Sequence, residues 1–228
     1  MATQIYSDQV YLTATSKATT NTNIYNLFSR YSNKFTYDTD NDLVVYDNRF
    51  KFSFSDGGNW SGGYIRIYQM DGTELVATST YDYRDSFTTN VSIIVTTHSF
   101  LFRKNDWTYN HGHGPFWFYI YDKSNTNLYT GFTMQSVDNA IDQTTNMVNV
   151  NTASPTANFT FQKISAKALV SPYIMFSTNC IVASDNGAFE IFEDFRSCST
   201  IPVLSTISIN NKNYFAIGTN TLVEAPAS

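Results

Sequence analysis

Hydrophobic and polar residues alternate in short runs along most of the chain, as they do in β-strands whose successive side chains point to opposite faces. Phe50, Phe52 and Phe54, for example, alternate with polar residues in a strand predicted over residues 43–55. The same criteria predict further strands or hairpins at residues 9–14, 64–80, 91–97, 116–121, 127–134, 158–164, 173–177, 180–195, 203–209, 214–217 and 221–224.

Two dipeptides between these runs favour tight hairpin turns. Asp71-Gly72 separates the two alternating halves of residues 64–80, which is the strongest short-range hairpin signal in the chain. Asn186-Gly187 predicts a second hairpin turn of the same two-residue kind. The short strands are therefore expected to pair antiparallel with their neighbours in sequence.

The chain has two cysteines, Cys180 and Cys198, and the second hairpin turn lies between them. That turn would place Cys180 opposite Glu193, roughly 16 Å short of Cys198 at ~3.3 Å per residue. A disulfide requires Cα atoms within about 7 Å of each other. Unless the chain doubles back after Phe195, we expect two free thiols, as in a protein made in a reducing cytosol.

A helical pattern occurs near the N-terminus. Apolar residues recur at i, i+3, i+4 and i+7 from Ile24, which predicts a short amphipathic helix over residues 23–31 with Thr22 as its N-cap. Residues 136–146 are polar and predict either a second short helix or a loop.

Roughly a dozen short strands separated by polar turns predict an all-β fold, an antiparallel sandwich or barrel of the jelly-roll or immunoglobulin-like kind, with one or two short helices. Residues 1–20 are expected to form an extended arm. Residues 21–228 would form a single all-β domain, with an excursion at 137–157.

The composition favours a surface made for contact. Charged residues make up 14% of the 228 residues, against about 25% in ordinary soluble domains. Asn, Thr and Ser number 23, 29 and 23, and 16% of the residues are aromatic. Viral capsid and tail proteins and extracellular carbohydrate-binding modules share this composition.

Charge and hydropathy exclude several classes of partner. The net charge is −5 and no basic cluster occurs, so we expect no binding to nucleic-acid phosphates. No apolar run approaches the length that a membrane-spanning helix needs. The N-terminus lacks the charged and apolar regions of a signal peptide.

The segment FWFYIY is the densest aromatic run, and it predicts a strand. Trp117, Tyr119 and Tyr121 alternate along it and therefore share one face. One interpretation is a strand in the core. The other is an aromatic platform for a sugar or a partner protein, together with Trp60 and Trp107.

Candidate metal ligands are His111 and His113, which point the same way if the segment is extended. This motif resembles the H-x-H pairs of some trimeric phage tail-fibre tips, in which three chains hold an iron ion. The flanking glycines equally favour a flexible turn with exposed histidines. We expect no resident cofactor.

No catalytic motif is present. A glycosidase would need two facing carboxylates, and Glu190 and Glu193, three residues apart on one predicted strand, point to opposite faces. The chain is therefore expected not to be an enzyme.

The whole chain resembles structural proteins of tailed bacteriophages. The resemblance lies in the leaderless start, the Thr- and Asn-rich β pattern with few charges, and the closing hairpin ISINNKNYFAIGTNTLVEAP. It implies a virion protein of the tail, neck or collar, baseplate or head decoration, made in the host cytoplasm and bound to copies of itself and to other virion proteins. Edge strands and the N-terminal arm would join neighbours by strand addition. The alternative is a carbohydrate- or receptor-binding β module that recognises a glycan of the host surface.

Overall fold

The fold is taken from a computed structural model that describes residues 3–13, 15–54, 63–80, 86–105, 116–121, 128–133, 146–156, 159–162, 168–171, 174–176, 181–184, 187–190, 195–197, 201–202, 204–209, 211–217 and 221–226. In chain order the elements are β1 (Gln4–Leu12), α1 (Lys17–Phe28), β2 (Phe35–Asp38), β3 (Leu43–Tyr46), β4 (Phe50–Ser53), β5 (Gly63–Tyr68), β6 (Glu74–Thr80), β7 (Phe87–Val95), β8 (Ser99–Lys104), β9 (Phe116–Tyr121), β10 (Leu128–Thr133), β11 (Asn146–Asn149), β12 (Ser154–Thr156), β13 (Phe159–Gln162), β14 (Ala168–Ser171), β15 (Ile174–Phe176), β16 (Ile181–Ser184), β17 (Gly187–Glu190), β18 (Phe195–Ser197), β19 (Thr206–Ile209), β20 (Lys212–Ala216) and β21 (Thr221–Glu224).

The fold is all-β and antiparallel, as predicted. A seven-stranded sheet has the order β1-β7-β8-β9-β10-β11-β12, and a five-stranded sheet has the order β2-β3-β4-β5-β6. Both sheets are open, so the described strands form a sandwich and not a closed barrel. Smaller sheets follow, with the orders β13-β16-β17, β14-β15 and β18-β21-β20-β19.

One aromatic core lies between the two large sheets and α1. Phe28 of α1 contacts rings of the seven-stranded sheet, with centroid distances of 4.8 Å to Phe100 and 5.4 Å to Trp117. Its ring lies 6.2 Å from that of Phe52 in the five-stranded sheet. All four side chains are fully buried, and burial of each such side chain stabilises the fold by roughly 1.5–3 kcal/mol.

The N-terminal segment belongs to the main sheet. β1 pairs with β7 from Gln4 opposite Val95 to Leu12 opposite Phe87, and α1 begins at Lys17. The described part of the predicted arm is therefore a sheet strand followed by the first turn of a helix. This pairing joins segments about eighty residues apart, which a local pattern does not indicate.

The helix begins earlier than predicted and ends earlier. Ser16, not Thr22, is its N-cap and accepts a hydrogen bond from the Thr19 amide at 3.2 Å. The helix ends at Phe28, so Tyr31 lies beyond it. The predicted apolar face is correct, since Ile24, Leu27 and Phe28 are buried.

Two predicted strand boundaries are wrong for local reasons. Residues 43–55 form two strands because Asp47 and Asn48, with φ of 50° and 53°, make a tight turn between β3 and β4. The hairpin predicted from Asn186-Gly187 does form, but Ser184 pairs with Gly187, so its turn lies one residue earlier. The described residues of β16 and β17 therefore pair in a different register from the predicted one, and Cys180 and Glu193, which were predicted to lie opposite each other, are outside the described residues.

Several other predicted elements are confirmed. The Asp71-Gly72 hairpin joins β5 to β6, with Gly72 at φ +92°, and the last predicted strand coincides with β21.

The described part of the predicted excursion, residues 146–156, contains β11 and β12, which both belong to the seven-stranded sheet. Of residues 136–146, for which a helix or a loop was predicted, residues 136–145 lie outside the described residues and Asn146 begins β11.

The four-stranded sheet near the C-terminus has an apolar cluster of its own, formed by Ile201, Ile209, Tyr214, Ala216 and Leu222. Arg103 of β8 points away from the main core, is only 1% exposed, and donates a hydrogen bond to the carbonyl oxygen of Ile217. This contact places the end of β20 against the outer side of the seven-stranded sheet.

A charged pair on the five-stranded sheet predicts a specific pH dependence. Lys51 Nζ lies 2.8 Å from Asp38 Oδ2, and the two side chains are 14% and 16% exposed. Hydrogen bonds from Lys51 and Asn41 lower the pKa of Asp38 to about 2, from an ordinary value of 3.8. A lowered pKa means that the carboxylate stabilises the folded chain fully above about pH 4, and that this contribution is lost as the pH falls towards about 2.

Thermal unfolding of the wild type and Asp38→Asn between about pH 5 and pH 2 measures this contribution. We expect the variant to be less stable at pH 5 and the difference in Tm to shrink as the pH falls. A difference that stays constant over the whole range would show that the Asp38 carboxylate does not titrate as stated.

Candidate binding site at one end of the sandwich

The predicted aromatic platform divides into a buried part and a surface part. Trp117 is fully buried in the core, where its ring stacks on Phe52 with a centroid distance of 4.4 Å. A sugar could reach Trp117 only if the two large sheets separated. The platform interpretation is therefore wrong for Trp117, and the alternative of a core strand is correct.

The other two platform residues of β9, Tyr119 and Tyr121, continue outwards along this strand. Tyr119 is 5% exposed, and its ring lies 4.1 Å from that of Tyr46. Burial raises the pKa of both phenols, so both hydroxyls stay protonated at neutral pH. Tyr121 packs edge-on against Tyr119 with centroids 6.4 Å apart. Tyr121 is half-buried and brings the aromatic row to the surface.

Arg49 and Asn151 meet Tyr121 at this end of the sandwich. Arg49 Nη2 donates to Asn151 Oδ1 at 2.6 Å, and Arg49 Nη1 donates to the Tyr121 hydroxyl at 3.4 Å. The guanidinium carbon lies 5.8 Å from the centroid of the Tyr121 ring, within the range of a cation–π contact. We call these three residues the Arg49–Tyr121–Asn151 cluster.

Three separate elements position the cluster. Arg49 follows the positive-φ turn between β3 and β4, and Tyr121 ends β9. Asn151 lies in the turn after β11, where its Oδ1 also accepts from the Leu128 amide at 3.4 Å. The backbone amide of Asn151 donates to Asn149 Oδ1 at 3.0 Å. The cluster therefore joins both large sheets at one end.

The half-buried guanidinium of Arg49 and the exposed amide of Asn151, beside the half-buried ring of Tyr121, can donate and accept hydrogen bonds next to an apolar surface. This combination suits hydroxyl-rich ligands such as sugars. Tyr121 was predicted as a site residue from its aromatic strand, whereas Arg49 and Asn151 were not predicted. Their contact spans 102 residues, and neither residue belongs to a recognisable motif.

The other predicted site residues are Trp60, Trp107, His111 and His113, and all four lie outside the described residues, as do Cys180 and Cys198. Among the residues that the structure does describe, no group of three or more His, Cys, Asp or Glu side chains is arranged to hold a metal ion. The single described helix, α1, is too short and too polar to cross a membrane.

Comparisons with protein-family models, with curated proteins and with solved structures gave no match.

Proposed function

We propose that this chain is a non-enzymatic structural protein of a tailed-phage virion, a component of the tail, neck or collar, baseplate or head decoration. It would act through contacts with copies of itself and with other virion proteins. The proposal is supported by the Thr- and Asn-rich β composition with few charges and by the resemblance of the whole chain to such proteins.

The observation that carries the proposal is the use of buried polar groups as braces between elements. The Asn21 side chain joins α1 to the start of β3 and the end of β4. The Thr20 hydroxyl joins α1 to the end of β1 through Thr13. Arg103 joins the main sheet to the C-terminal sheet. Each group fixes one part of the chain against another, which is what a subunit that must keep its shape in a particle requires.

The structure changes the expected mode of contact. β7 already pairs with one edge of β1 along its whole length, so only the other edge of this terminal strand could add to a neighbour. α1 covers part of its other side, because Asn23 Nδ2 donates to the Tyr11 carbonyl at 3.0 Å and Tyr31 stacks on Tyr6. We therefore propose that subunits meet through side-chain surfaces and not through addition of the N-terminal arm.

Multi-angle light scattering of the purified chain tests this assembly. We expect a mass well above the 25.8 kDa of one chain, as a ring, a polymer or a trimer, that rises with concentration. A trimer that collapses in EDTA would identify His111 and His113 as metal ligands. A clean monomer at every concentration, with or without EDTA, would contradict assembly by this chain alone.

A second function, binding of a host-surface glycan, is favoured by the Arg49–Tyr121–Asn151 cluster. It would use the Tyr121 ring as an apolar surface and the Arg49 and Asn151 side chains for hydroxyl groups. A glycan array read with the wild type and with Arg49→Gln tests it. Binding by the wild type that the variant loses would support this function, and no binding by the wild type would reject it.

A further inference from the structure

The outer side of β1 and β7 is covered at one end and open at the other. Towards one end, Ser92 and Ile94 of β7 are 2% and 0% exposed. Towards the other end, the outward-pointing residues of both strands are exposed, and Gln9 and Tyr11 of β1 lie opposite Asn90 and Thr88 of β7. We define the β1–β7 face as the exposed residues Ser7, Gln9, Tyr11, Thr88 and Asn90.

No residue of the β1–β7 face is charged. The charged residue within this stretch of β1, Asp8, points to the opposite side, where it binds Arg30 at 2.8 Å and the Tyr31 hydroxyl at 2.7 Å. Lys104 lies on the core side, over the ring of Phe87 at 4.8 Å. In a chain with a net charge of −5, two copies can bring this face together without opposing like charges or burying unpaired ones.

Two side chains of the β1–β7 face are already held in place in the single chain. Gln9 Nε2 donates to Asn90 Oδ1 at 2.9 Å across the two strands, so these amides lose little freedom on binding. Tyr11 is 42% exposed, and within the described part of the chain it and Met70 are the large hydrophobic residues that remain exposed. Tyrosine is enriched and charged residues are depleted at the centres of protein interfaces.

We infer that the β1–β7 face is a contact surface between two copies of this chain. The inference rests on the proposed function and names a surface that serves it. Five side chains on two strands offer less than the ~800 Å² per partner of a standard interface. A single contact is therefore weak in solution, and repetition of the contact in a particle strengthens it.

Sedimentation velocity over a concentration series tests the face in the full chain. Tyr11→Arg places a cation on each copy, and we expect it to weaken self-association at least about tenfold, because like charges would face each other across the contact. Thr88→Arg, on the neighbouring strand, should have the same effect. Met70→Arg is the matched control and should associate as the wild type does, and thermal unfolding confirms that each variant is folded.

The possible results test the β1–β7 face and the proposed function separately. If the wild type associates and Tyr11→Arg and Thr88→Arg associate equally well, the β1–β7 face is wrong while the proposed function stands. If the wild type stays monomeric at every concentration, the β1–β7 face and assembly by this chain alone are both contradicted, whereas contacts with other virion proteins are tested by the composition of purified particles. A monomeric wild type that binds a neutral oligosaccharide, with binding lost in Tyr11→Arg, would assign the face to a glycan instead.

Discussion

Asn21→Ala is expected to lower the free energy of unfolding by about 3 kcal/mol, and Tm by about 6–12 °C. The Asn21 side chain is fully buried. Its Nδ2 donates to the Asp42 carbonyl at 2.8 Å and to Ser53 Oγ at 2.9 Å, and its Oδ1 accepts from the Phe54 amide at 2.8 Å. Truncation would leave the buried Phe54 amide and the partly buried Asp42 carbonyl without these partners. Leaving such a group unpaired costs more than the net contribution of an ordinary hydrogen bond.

Urea denaturation of the variant and of Asn26→Ala measures this effect. Asn26 lies on the exposed side of the same helix, so its replacement by alanine should change stability by no more than about 0.5 kcal/mol. Equal effects of the two substitutions would mean that Asn21 does not brace the helix against the five-stranded sheet.

Trp117→Ala should destabilise the fold by about 4 kcal/mol, because it removes the indole that lies between the two large sheets. The ring stacks on Phe52 and on Phe28, with centroid distances of 4.4 Å and 5.4 Å. The surrounding rings belong to α1, β2, β4, β8 and β9, which cannot all move together to close the cavity.

Trp117→Phe is the matched variant for this prediction. The indole Nε1 is buried and has no hydrogen-bond partner among the described residues, so phenylalanine keeps most of the packing without that polar group. We expect a loss of about 1–2 kcal/mol for Trp117→Phe, measured by the same denaturation. A loss below about 1 kcal/mol for Trp117→Ala would instead indicate an exposed ring, as on a binding platform.

The sequence was sufficient to predict the fold class and those hairpins that carry local signals. Asp71-Gly72 was found because glycine accepts the positive φ that its turn requires. The turn at Asp47 and Asn48 was missed because it contains no glycine and because a single strand was predicted across residues 43–55. The start of α1 was missed because Thr19, Thr20 and Asn21 are poor helix formers, and tertiary hydrogen bonds hold two of them in place.

Features that depend on distant contacts were not predictable from local pattern. β1 and β7 are neighbours in the sheet, but α1 and all five strands of the other large sheet lie between them in the sequence. Nothing in residues 4–12 indicates that distant partner. In the candidate site, Tyr121 was found from its strand, whereas Arg49 and Asn151 are ordinary polar residues that become neighbours only after both sheets have formed.

The most direct test of the virion proposal is the protein composition of purified particles produced from the genome that encodes this chain. Peptide mass spectrometry of particles banded in a density gradient should detect the chain at a fixed ratio to the major virion proteins. Its absence from banded particles, together with its abundance in the lysate of the producing cells, would contradict a structural role in the virion.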